Sequence, residues 1–205
     1  MLIKLHGTSG SGKSTVARFL MAQGLTVHEG KVYRMDCFHL QKPLYILGLY
    51  NTQCGGCDTL TALEQIDLIH KYAPRGHVFY EGLLGSEYYG KLGEASERYG
   101  RDHVFAFIDT PIEVCIERVK ARRLAKGNLK PLNEDNTRNR IHKIASLRAK
   151  LIKTGRNVVD IDHNQANIQI LDLYKASEHA NIGTVKSPGI LDARTTENPR
   201  SESAR

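Results

Sequence analysis

The chain has 205 residues, enough for one domain with a sizeable core and too few for a second independent one. It carries a net charge of +7 and a sequence pI near 9.2, which suits a polyanionic partner and equally a nucleotide pocket rich in arginine. No apolar run approaches the roughly 20 residues that span a bilayer, and no basic start leads into a cleavable apolar stretch, so a soluble, cytoplasmic protein is expected.

The first element is the apolar run Leu2-Ile3-Lys4-Leu5, read as a strand, which leads into Gly7-Thr8-Ser9-Gly10-Ser11-Gly12-Lys13-Ser14. Glycine, four residues, then Gly-Lys-Ser is the pattern of a phosphate-binding loop. A strand entering it and a helix leaving it aim backbone amides and a helix N-terminus at phosphate oxygens. Val16, Phe19 and Leu20 predict that helix over 14–23, with Gly24 as its stop. The glycines let the backbone approach phosphate, and Lys13 reaches the β and γ phosphates. Ser14 offers its hydroxyl to a bridging magnesium ion, and Thr15 supports the helix start. ATP and Mg2+ are the expected cofactors.

Further strands are predicted at 31–35, 78–80, 104–108 and 158–161, and helices at 60–73, 111–126, 136–153 and 165–180. Thr61 with Glu64 forms a capping box, and Pro111 after Thr110 opens another helix. Strand and helix alternate, so the expected fold is α/β, three-layered, with a five-stranded parallel sheet and helices on both faces. A kinase-like domain over 1–182 is expected, and a disordered tail over 183–205, where Pro188, Gly189 and Pro199 interrupt a polar stretch.

Ligands gather at the carboxyl ends of parallel strands, which singles out Asp36 and Glu81. Asp36 is assigned as the base that takes the acceptor's proton and Glu81 to the magnesium shell, although on the sequence the two roles are interchangeable. Arg118, Arg122 and Arg123 cluster on the helix after Asp109-Thr110-Pro111, and a lid over about 118–140 would bring them onto the transferring phosphates. A solvated basic face explains the same residues.

The acceptor is expected in an insertion over about 37–60, where Tyr50 stacks on a base, Asn51 and Asp58 supply polar contacts, and Gly55 and Gly56 permit close approach. A zinc site built from Cys37, His39, Cys54 and Cys57 is the rival reading of that segment. The basic run that includes Lys126, Lys130, Arg138, Arg140, Lys143 and Arg148 reads as a nucleic-acid groove or a solvated helix face.

Gly7 to Ser14, Asp36, Tyr80-Glu81-Gly82, and Asp109-Thr110-Pro111 with its arginines resemble the P-loop kinases of the nucleoside and nucleotide kinase superfamily, thymidylate kinases included. The loop Tyr50-Asn51-Thr52-Gln53-Cys54-Gly55-Gly56-Cys57-Asp58-Thr59 is similar to one in bacteriophage kinases that act on 5-hydroxymethyluracil in DNA. That resemblance implies transfer of the γ phosphate of ATP to the base's hydroxymethyl group, a step toward hypermodified thymidine, with modified DNA as partner in the host cytoplasm. The target nucleotide would be flipped out or single-stranded. Two alternatives stay open: a kinase for a free nucleoside, nucleotide or other small metabolite, and a non-catalytic nucleotide-binding switch.

Overall fold

A computed structural model describes residues 1–52, 55–82 and 97–182, with the side chains of 181 and 182 left aside. The expected tail over 183–205 and Cys54 lie outside the described residues. The strands are β1 (Leu2–His6), β2 (Gly24–Glu29), β3 (Val32–Cys37), β4 (Leu44–Leu47), β5 (His77–Glu81), β6 (His103–Ile108) and β7 (Asn157–Ile161). The helices are α1 (Lys13–Met21), α2 (Ala62–Tyr72), α3 (Ile112–Ala125), α4 (Glu134–Lys153) and α5 (Ala166–Ile182). Every predicted helix is present to within about two residues at each end, the spread expected of any boundary assignment.

The sheet corrects the expectation of five parallel strands: among the described residues it has seven, in the order β2-β3-β4-β5-β1-β6-β7, and is mixed. From β4 to β7 neighbouring strands run parallel, whereas β3 is antiparallel to β4 and β2 to β3. The strand predicted at 31–35 is thus the antiparallel one. The fifth parallel strand is β4, Leu44-Tyr45-Ile46-Leu47, inside the segment read as an acceptor insertion. All four of its residues are buried, as a strand covered on both faces requires.

Helices cover both faces. Val16, Ala17 and Leu20 of α1 and Ile170, Leu171 and Tyr174 of α5 pack on Ile3, Leu5, Phe79 and Ala106. On the other face Ile69 and Tyr72 of α2 lie against Tyr45, Leu47, Val78 and Tyr80, and Leu147 and Leu151 of α4 against Phe105 and Phe107. Strand β1, flanked by β5 and β6, is buried along its whole length, so the loop that leaves it is anchored in the core.

Candidate active site

The phosphate loop leaves β1 at His6 and enters α1 at Lys13. Its turn requires glycine at Gly10, where φ is +85° and a Cβ would collide with the carbonyl of Cys115 on α3. Thr110 donates its hydroxyl to the Ser11 carbonyl at 2.8 Å, tying the loop to the end of β6. Lys13 is buried, its Nζ donating to the carbonyls of Gly7 and Thr8 at 2.9 Å each, and burial lowers its pKa. The hydroxyls of Thr8 and Ser11 are buried without a hydrogen-bond partner among the described residues. A ring of orphan donors around a lysine, at the start of a helix whose first amides lack intrahelical partners, fits a polyphosphate.

Glu81 ends β5, the neighbour of β1, and its register partner is Leu5. Its Oε1 accepts the Ser14 hydroxyl at 2.8 Å, and its side chain is almost wholly buried. Burial pushes its pKa up, against the pull of Lys13 and the Ser14 hydrogen bond. A hydroxyl and a carboxylate so placed beside a phosphate loop form a donor pair suited to a divalent ion that also touches phosphate oxygens.

Both groups line a cavity of about 520 Å³, as do Lys13, Asp58, Arg118 and Arg122. Arg118 Nη1 donates to the Gly10 carbonyl at 3.3 Å. Arg123 departs from its predicted place: its Nη2 donates to Asn128 Oδ1 and to the Lys130 carbonyl, because one step along α3 turns it about 100° from Arg122. Arg140, read only as part of a basic run, reaches the phosphate loop from α4 with its Nη1 3.3 Å from Ser9 Oγ.

Asp36 is not brought to this site. Because β3 runs antiparallel, Met35 pairs with Leu44 at the edge where the parallel strands begin, and Asp36 lies at that edge, opposite the phosphate loop. It is half exposed and paired with Arg34 at 3.0 Å. The carboxylate that does reach the cavity from the acceptor segment is Asp58, in the single-turn helix Cys57–Thr59.

The rest of that segment also corrects the reading. Tyr50 is a core residue, edge-on to Tyr33 with its hydroxyl directed at the Leu47 carbonyl, so it has no free face for a base. Gly56, at φ +86°, lies where a Cβ would strike the Glu81 carboxylate, and one on Gly55 would strike the Leu49 carbonyl. Their close approach is to protein. Asn51 is exposed, and Thr52 offers its carbonyl to Arg18, a cavity-lining residue of α1 that the sequence reading passed over.

The zinc reading fails on geometry among the described residues, since Cys37 packs into the core beneath α1 and α5 while Cys57 packs into the core beneath α2. His6 is buried, stacked on Phe107 at 4.7 Å, and burial holds its pKa well below 6.5, so it is a neutral packing residue. His163, Asn164 and Asn167 also line the cavity. They follow β7 at its carboxyl end, so the strand-end rule that selected Glu81 would have selected them too. The backbone N–H of His163 donates to Asp109 Oδ1 at 2.9 Å, joining the ends of β7 and β6.

The family model described as 5-hmdU DNA kinase matches residues 2–154. The chain is similar to the 5-hmdU DNA kinase of Pseudomonas phage PaMx11, at 35% identity over 85% of this chain and 97% of that protein. It is similar also to the 5-hmdU DNA kinase of Pseudomonas phage M6, at 28% over 78% and 89%, and to 5-hmdU DNA kinase 1 of Salmonella phage ViI, at 30% over 59% of each. The matched span includes the phosphate loop, Asp58, Glu81 and the arginines of α3 and α4, and the chain belongs to the 5-hmdU DNA kinase family.

Proposed function

We propose that this chain transfers the γ phosphate of ATP to the hydroxymethyl oxygen of 5-hydroxymethyluridine in DNA, giving 5-phosphomethyl-deoxyuridine. The observation that carries the reading is the Ser14–Glu81 hydrogen bond, set in the wall of a cavity that also holds Lys13 and Asp58, in a chain of this family. Lys13 and the loop hydroxyls hold the β and γ phosphates, and Arg118, Arg122 and Arg140 offset the charge that grows on the transferred group. Ser14 and Glu81 would hold magnesium, which when bound would supply positive charge to shield the phosphates. Asp58 accepts the proton of the hydroxymethyl group as its oxygen bonds to the γ phosphorus and the bond to ADP breaks. The C5 hydroxymethyl of a stacked base faces the major groove, and to bring it into a cavity walled by Ser14, Glu81 and Asp58 the acceptor nucleotide enters extruded from the helix or unpaired.

The test is transfer from γ-labelled ATP, with DNA containing 5-hydroxymethyluracil, ordinary DNA and a panel of free nucleosides and nucleotides offered in parallel. Label in the modified DNA alone is the expected result. Label in a free nucleotide would return the chain to small-molecule kinases, and slow ATP loss without label would favour the switch.

A further inference from the structure

The most exposed large apolar side chain among the described residues is Leu129, 81% accessible, at the tip of the hairpin formed by α3 and α4. Leu124, 65% accessible, lies just before the tip in the last turn of α3. Single apolar residues on a surface are ordinary. This pair is different because the tip is built to hold its shape. Arg123 grips Asn128 Oδ1 and the Lys130 carbonyl, and the Lys130 N–H donates to the same Asn128 oxygen at 3.2 Å. Backbone bonds from Lys126 and Asn128 to the Arg123 carbonyl, and from Gly127 to that of Leu124, close the turn, with Gly127 at φ +70°. Lys126 and Lys130 flank Leu129, both exposed and with no ion pair among the described residues. The tip begins at Lys126, one helical turn beyond the cavity-lining Arg122.

We infer that this tip is a DNA wedge: Leu129 enters the base stack of duplex DNA at the place the target nucleotide vacates, while Lys126 and Lys130 hold the flanking phosphates. The inference rests on the reading of the chain as a kinase for a base in DNA. Three features carry it. An apolar side chain in a stiffened loop matches the wedges by which proteins unstack a base step. The lysines supply the charge complementarity to a polyanion. One helical turn of α3 joins the tip to Arg122 in the cavity wall, so a duplex held at the tip lies on the same hairpin that lines the cavity an extruded base would occupy. Arg123, whose Nη2 holds Asn128 and the Lys130 carbonyl and which does not line the cavity, acts through this loop as a positioning residue.

The experiment compares wild type with Leu129→Ser on one oligonucleotide carrying a single 5-hydroxymethyluracil, offered as a single strand and as a duplex. In the duplex a 2-aminopurine stands next to the target. On the duplex, kcat/KM of the variant is expected to fall about ten-fold or more, with Leu129→Phe restoring most of it, while the single strand is phosphorylated within about two-fold of wild type. The 2-aminopurine fluorescence is expected to rise on binding wild type and not the variant. Changing Lys126 and Lys130 to alanine together should reduce the salt slope of duplex binding by about two. Equal loss on both substrates, no loss on the duplex, or a change in oligomeric state instead would overturn the wedge. Wild type that labels only the single strand also overturns it and leaves the kinase reading standing, whereas wild type that labels neither DNA overturns that reading itself.

Discussion

Glu81 shows how a functional residue strains the fold that holds it. Its buried carboxyl accepts the Ser14 hydroxyl, and burial raises its pKa above the ordinary 4.5. An acid whose folded pKa is raised binds its proton more tightly when folded, so stability declines as pH rises from the ordinary carboxylate range through the folded pKa. Glu81→Gln removes that penalty while keeping the shape. Without nucleotide the variant is expected to melt higher than wild type at neutral pH and with a flatter pH dependence, which thermal denaturation across a pH series checks. Its transfer rate should fall about 10²–10³-fold. The two carboxylates of the acceptor argument divide in the same assay. Asp58→Asn is expected to lower kcat by about 10²–10⁴ as a lost proton acceptor. Asp36→Asn should stay within about two-fold, since it loses only an exposed ion pair with Arg34. Normal turnover in Asp58→Asn would sink the assignment.

At the scale of elements, local chemistry and tertiary placement part company. The capping box at α2 forms as its letters predict, with Glu64 N–H on Thr61 Oγ1 at 3.2 Å and Thr61 N–H on Glu64 Oε2 at 2.8 Å. Thr61→Ala should therefore cost about 1 kcal/mol, read as a shifted urea midpoint at unchanged slope. The helices were legible because a 3.6-residue period and end signals repeat over many residues. Strand β4 offers only four apolar residues between Pro43 and Gly48, and a run that short is as good a core loop as a strand. Strand β2 hid behind Gly24, which reads as a helix stop yet opens the strand. Missing these two strands hid the reversal of β3, and with it the true place of Asp36.

Across the whole molecule, the edge opposite the phosphate loop is closed by one buried cluster. Glu178 of α5 accepts from His77 Nε2 at 2.9 Å and from the backbone N–H groups of Gln41 and Lys42, joining the last helix to the start of β5 and the approach to β4. Burial pushes the Glu178 pKa up, but the Gln41, His77 and Lys42 hydrogen bonds outweigh it and the net shift is downward. The sign is therefore opposite to that of Glu81: this contribution is present above the ordinary carboxylate range and is lost as pH falls through the folded pKa. Glu178→Gln should cost about 1–3 kcal/mol at neutral pH and lose less than wild type on acidification, measured by denaturant titration at both pH values. Equal acid sensitivity in the two proteins would refute the clasp.

By itself the sequence determined the phosphate loop, the helices, the capping box and the place of Glu81 at the end of the strand beside the loop. Each rests on contiguous residues whose spacing dictates a local geometry, and the strand that carries Glu81 lies next to the one that carries the loop. Only the tertiary structure decided which acids line the cavity, which arginines lie against the phosphate loop, and whether Tyr50 is surface or core. Strand direction sends Asp36 to the wrong edge. A step of about 100° along one helix separates Arg122 from Arg123, and a return helix brings Arg140 from far along the chain to Ser9. These depend on how elements pack against one another, and no short window of sequence contains both partners.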